Sequence, residues 1–172
     1  SSLAQGEGEP DDGQSLIRLM LYSNDLNLEG LIATSNMRHG QRTRPELISK
    51  VVDTYGQVHP NLLLHDKAYP PSGQLSAVIK QGQPIAGPKI PVEESIGQNK
   101  DTEGSNWIIQ VVDKKDPRPV WVAIWGGSTD LAQALWKVRA TRTGDELKEF
   151  IKKLRVHFVY DQDMTGPWIR TE

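Results

Sequence analysis

No cysteine occurs anywhere in the 172 residues. Its absence excludes a disulfide scaffold, a thiolate zinc site and a cysteine nucleophile, and it leaves the compartment open. No apolar run approaches the roughly 20 residues that span a bilayer, so the chain reads as soluble, and no signal-peptide pattern stands at the start. Charge of one sign is also scarce. Twenty Lys and Arg face 22 Asp and Glu, for a net charge of −2, which argues against a basic nucleic-acid footprint. There is no internal repeat, no phosphate loop and no Ser-His-Asp arrangement. Ser1 to Pro10 is small and polar, and nothing in it reads as a first strand.

What is present is an alternation of two hydrophobic periods, over a length that suits one domain, 1–172. Helical spacing predicts helices over Asp11–Asn24 (apolar face Leu16, Ile17, Leu19, Met20, Leu21), Pro45–Val58, Ser72–Gln81, Ser105–Val112, Asp130–Val138 and Thr143–Leu154. Pro45 sits where a first helical residue is welcome, Ser105 is the expected cap of its helix, and Ser128 or Thr129 of the next. Short apolar runs predict strands at Leu28–Thr34, Val120–Trp125 and Arg155–Tyr160. Three prolines make His59–Pro71 irregular, and glycine and proline make Gly82–Asp101 a long loop. The expected fold is therefore α/β, a parallel sheet flanked by helices on both faces, with ligands beyond the carboxyl ends of its strands.

Four clusters carry chemistry. Glu7-Gly8-Glu9-Pro10-Asp11-Asp12 offers four carboxylates in six residues, hard oxygen ligands suited to Ca²⁺ or Mg²⁺; its plain reading is a charged helix start. Ala33-Thr34-Ser35-Asn36 puts an amide at a strand end, suited to a substrate hydroxyl or merely to a turn. Trp125-Gly126-Gly127-Ser128-Thr129-Asp130 runs from strand to helix, and paired glycines let a ligand approach the backbone. Asp161-Gln162-Asp163 follows a strand and suits a metal, a sugar diol or plain solvent. His39, His59, His65 and His157 have no ligand spacing, and His157, alternating within a strand, reads as packed. Five tryptophans (Trp107, Trp121, Trp125, Trp136, Trp168) are many for this length; exposed ones could stack on sugar rings, although most tryptophans are largely buried.

The segments EPDDGQSLIRLMLYSNDLNLEGLIATSN, RPELISKVVDTYGQVHPNL, GSNWIIQVV, PVWVAIWGGSTDLAQALWKVRAT and DQDMTGPWIR resemble the bacterial cellulose-binding family with a nucleoside-hydrolase-like domain. The more distant likeness is to the calcium-dependent inosine–uridine nucleoside hydrolases. That resemblance implies Asp12 and the backbone carbonyl of Trp125 as calcium ligands and Asp11 beside the attacking water. It implies Asn36, Asn106, Asp161 and Asp163 as substrate contacts. Calcium would orient a water and two sugar hydroxyls while charge develops on the sugar.

Two departures accompany it. Gln5 stands at the family's ligand and general-base aspartate, with Glu7 or Glu9 as conjectural substitutes, and the chain stops at Glu172 before the family's late His-Asp pair. The expectation is a truncated or degenerate domain without its first strand and C-terminal portion, weak or inactive on its own. Three readings follow: calcium-assisted hydrolysis of a glycosidic bond in a nucleoside or other sugar, a carbohydrate-binding module with no turnover, or a purely structural or interaction fragment. The family also implies export from the cytoplasm. Oligomeric state stays open.

Overall fold

Pro10, at the start of a helix that carries Asp11 and Asp12 in its first turn, opens the described chain. A computed structural model describes residues 10–37 and 42–172. Gln5, Glu7, Glu9 and His39 of the sequence reading lie outside the described residues. Two compact units emerge, one from the chain up to Ile32 together with Arg44–Ile79, the other from Ala33–Thr43 and Lys80–Glu172.

The first unit holds α1 (Pro10–Leu21), α2 (Pro45–His65) and α3 (Ser72–Ala77). Met20, Leu31, Val51, Val52, Tyr55 and Leu75 form its core, with Leu16, Leu19, Leu28 and Leu62 packed against them. The predicted apolar face of α1 is narrower than expected, because Ile17 and Leu21 stay exposed. Helix α2 overruns the expected stop. Pro60 lacks an N–H and so leaves one intrahelical bond unmade, yet the helix continues to His65. Leu62, partly buried against the core, helps offset that cost, and Asp66 N–H closes the end on Leu62 O at 3.0 Å. The polar tip of Tyr55 reaches Pro70 O at 2.6 Å, which ties the chain after α2 back to its core.

Helix α3 stops at Ala77, short of the expected Gln81. Ile79–Gln81 is instead the strand β2. Val78 and Ile79 are β-branched and suit extended chain, and in the first unit Leu31 N–H takes the Val78 carbonyl at 2.9 Å. The strand β1 is Leu31–Ala33, shorter than the apolar run.

The second unit carries α4 (Val92–Ser95), α5 (Glu103–Val112), β3 (Val120–Ile124), α6 (Thr129–Thr141), α7 (Gly144–Lys153), β4 (Leu154–Phe158) and α8 (Thr165–Thr171). Strands β3 and β4 pair in parallel, with Val120 opposite Leu154 and Ile124 opposite Phe158. The expected α/β class with parallel strands flanked by helices is therefore observed, in short sheets of two strands each. Ile108, Val111, Val112, Ile124, Leu131, Val138 and Phe150 are buried here. Ile151, expected inward, is half exposed.

Two helix starts differ from the sequence reading. Thr102, not Ser105, caps α5: Ser105 N–H donates to Thr102 Oγ1 and Thr102 N–H to Ser105 Oγ, both at 2.9 Å, a reciprocal capping box. Ser128 precedes α6 without a side-chain cap, since its hydroxyl is committed elsewhere. Thr143 does cap α7, and Glu146 completes that box. The polar tail expected after the last strand is helical as α8.

Candidate functional site

Strand β3 ends at Ile124, and Trp125-Gly126-Gly127 turns the chain into α6. The turn needs glycine for a spatial reason. A Cβ on Gly126 would lie 2.6 Å from Thr34 Oγ1 and 2.8 Å from Ser35 O, inside any tolerated contact. The Thr34–Asn36 segment lies directly against the glycines, and Gly127 N–H donates to Ser35 O at 2.8 Å. Gln162 closes the same corner. Its Nε2 donates to the Trp125 carbonyl at 2.5 Å, while Met37 N–H donates to its Oε1 at 3.1 Å. The backbone donor fixes which end of the amide is oxygen, so an N–H faces the Trp125 carbonyl.

Asp163 lies behind this turn and is buried. Its Oδ2 accepts from Thr129 N–H at 3.2 Å and Thr129 Oγ1 at 2.7 Å. Its Oδ1 accepts from Thr165 N–H at 2.9 Å, Thr165 Oγ1 at 2.7 Å and Ser128 Oγ at 3.2 Å. One carboxylate thus serves the first turns of both α6 and α8, where the helix dipole favours negative charge. Asp161 pairs with Arg170 instead, at 2.6 and 3.1 Å, and the guanidinium holds its carboxyl below the usual range.

The sequence-predicted residues therefore divide into three sets. Asn36, Trp125, Asp161 and Asp163 lie on segments of the second unit that meet around the Gly126–Gly127 turn. Asn106 does not join them: it sits on α5, where its Oδ1 accepts from Lys137 Nζ of α6 at 2.9 Å. Asp11 and Asp12 lie in the first turn of α1 in the first unit, Asp11 exposed and Asp12 half-buried.

Four buried groups escaped the sequence reading as individual actors. Asp130 is only 2% exposed. Thr102 Oγ1 donates to its Oδ1 at 2.5 Å, and Gln83 N–H lies 3.2 Å from each of its oxygens. Burial pushes its carboxyl up to about 6, against the downward pull of the Thr102 and Gln83 bonds, and the charge of Asp163 adds to the rise. Gln133 clamps Gly97 through both amide ends, at 2.7 and 3.0 Å, and donates to Asp101 at 2.8 Å. Burial raises Asp101, but its bonds to Lys137 and Gln133 outweigh that and hold it below the usual carboxylate range. Gln83 spans Ser95 O and Lys100 O at 3.3 and 3.4 Å. These groups pin the predicted long loop, and the only available signal was a polar residue inside an otherwise apolar helix pattern. The fourth is Ser35, whose buried Oγ has no hydrogen-bond partner among the described residues.

This donor set does not fit a divalent cation within the second unit. The Trp125 carbonyl already receives an N–H, both carboxylates are committed to protein donors, and what remains is amide and hydroxyl. Among the described residues, no group of three or more His, Asp or Glu side chains is placed to hold a metal. No described helix is long and apolar enough to cross a membrane.

A search of the solved structures finds a nucleoside hydrolase-related hypothetical protein from Saccharophagus degradans, described as associated with carbohydrate metabolism. It is 39% identical and superposes with a TM-score of 0.87 over 93% of this chain, which spans 38% of that relative's length. No curated protein matches. The family profile described as cellulose-binding Sde182, nucleoside hydrolase-like domain, matches residues 3–172, and the chain belongs to that family.

Proposed function

We propose that this chain is a carbohydrate-binding module that holds a β-linked glucan without hydrolysing it. One observation carries the reading: at the corner formed by Thr34–Asn36, Trp125–Gly127 and Gln162, the carboxylates are consumed by the protein's own donors. Hydrolysis needs an acid or base with a proton to move and a means of activating water. Binding a neutral polyol needs hydroxyls and amides instead. The family's cellulose-binding description supports the ligand class, and such a role suits an exported protein.

Hydrolysis is the second reading, favoured by the paired Asp11 and Asp12, which match the resemblance's adjacent aspartates and stand in the first turn of α1. Calorimetry with cello-oligosaccharides, with and without calcium, separates the two, alongside a reducing-sugar assay on nucleosides. The expected result is cello-oligosaccharide binding that is independent of calcium and unchanged in Asp12→Ala, with no sugar released. Calcium binding abolished by Asp12→Ala, together with calcium-dependent ribose release, would establish the hydrolase and overturn the module.

A further inference from the structure

The β3–β4 ladder has two unlike faces. Side chains alternate along each strand, and register partners share a face. Val120, Val122 and Ile124 with Leu154, Val156 and Phe158 turn one way, and all but the exposed Val156 are partly or fully buried. Trp121 and Ala123, with their partners Arg155 and His157, turn the other way, and all four are exposed. Trp121 is 72% exposed, the largest apolar side chain left in water on this ladder. His157, read from sequence as packed, stands in solvent beside it.

Parallel strands are ordinarily covered on both faces and read as near-continuous apolar runs. Strand β4 breaks that pattern, for Arg155 and His157 interrupt Leu154, Val156 and Phe158. A face meant for a covering helix would not carry a guanidinium and an imidazole at alternate positions. Nor does this face hold any acidic residue that would prefer a cationic partner. It carries one broad aromatic side chain, a small residue on the same face at Ala123, and hydrogen-bond donors on the paired strand. Arg155 Nη1 donates to Lys152 O at 2.9 Å and Leu154 O at 2.8 Å, which steadies the guanidinium and leaves its other N–H groups for a ligand.

The geometry points to this face as a stacking platform for a pyranose chain: the Trp121 indole lies under the apolar face of one sugar ring, and Arg155 and His157 bind hydroxyls at its edge. Aromatic rings pair with apolar planes that carry polar rims, and a β-linked glucan has that form. The ligand class rests on the binding-module reading above, whereas the location does not, being separate from the Gly126–Gly127 corner.

The test is depletion of the protein onto microcrystalline cellulose, with calorimetry on cello-oligosaccharides, for the wild type, Trp121→Ala and Trp121→Tyr. Circular dichroism and thermal melting show that each variant is folded. Trp121→Ala is expected to weaken binding by about three- to tenfold, the value of one stacked ring. Trp121→Tyr is expected to keep most of it, because the plane survives. Wild-type binding unchanged in Trp121→Ala overturns the platform and leaves the module reading standing. No wild-type binding overturns both. If sedimentation shows wild-type dimers that Trp121→Ala converts to monomers, with no loss of glucan affinity, the face joins copies of the chain and the platform is overturned.

Discussion

Among the described residues, Asp130 is the buried carboxylate that folding pushes upward. Its carboxyl rises from 3.8 to about 6 on folding, because burial penalises the charged form more than the Thr102 and Gln83 bonds favour it. Between those values the folded chain binds more protons than the unfolded one, so stability falls as pH rises. The stabilisation from the neutral form is complete below 3.8 and is lost as pH passes through about 6. A shift of about 2 units corresponds to about 3 kcal/mol across that window. Asp130→Asn removes the titration while an amide oxygen in the Oδ1 position keeps both hydrogen bonds. Its amide nitrogen then lacks an acceptor, a pH-independent cost of about 1–3 kcal/mol. Absolute stability at one pH is thus a poor readout, and the slope is a good one. Urea unfolding followed by tryptophan fluorescence, at intervals from pH 4 to 7.5, should show the wild type losing about 2.4 kcal/mol relative to Asp130→Asn, the part of the effect that lies above pH 4. A wild-type minus variant difference that stays flat over this range refutes the reasoning, since it would mean that the buried carboxyl titrates as it does in the unfolded chain.

Two further substitutions probe the corner, and a third, in α3, is a control. Gly126→Ala drives a Cβ into Ser35 O and Thr34 Oγ1 and should cost about 1–3 kcal/mol in thermal unfolding. Gly73→Ala in α3, where nothing lies within 4 Å, should be neutral or stabilising by about 0.5–1 kcal/mol. Asp163→Asn removes one of two acceptor oxygens serving the starts of α6 and α8 and should destabilise by about 2–4 kcal/mol in urea unfolding. Amide exchange would localise the loss to Thr129 and Thr165, and unchanged protection there would contradict the shared cap.

Local sequence set much of the framework. The strong apolar run Val120–Ile124, the capped amphipathic helix after Thr143 and Pro45 at a helix start all follow from rules that act within a few residues, and all are observed. The motif-bearing residues around Trp125 and Asp161–Asp163 were legible for the same reason, since strand ends and glycine pairs mark themselves. What the chain could not state locally was which partner each polar group would meet. Pro60 reads as a helix stop until the burial of Leu62 is known. Val78–Gln81 reads as helix until Leu31 supplies a ladder partner. Asp163 reads as a metal or diol ligand until Ser128, Thr129 and Thr165 converge on it from beyond its own turn. Asp130 reads as one more acid in a first helical turn until Gln83 and Thr102, 47 and 28 residues away, enclose it. Helix and strand periods, caps and turns depend on neighbours in the chain, so the sequence alone determined them. Carboxylate charge, hydrogen-bond saturation and the exposure of Trp121 depend on neighbours in space, and only the tertiary structure decided those.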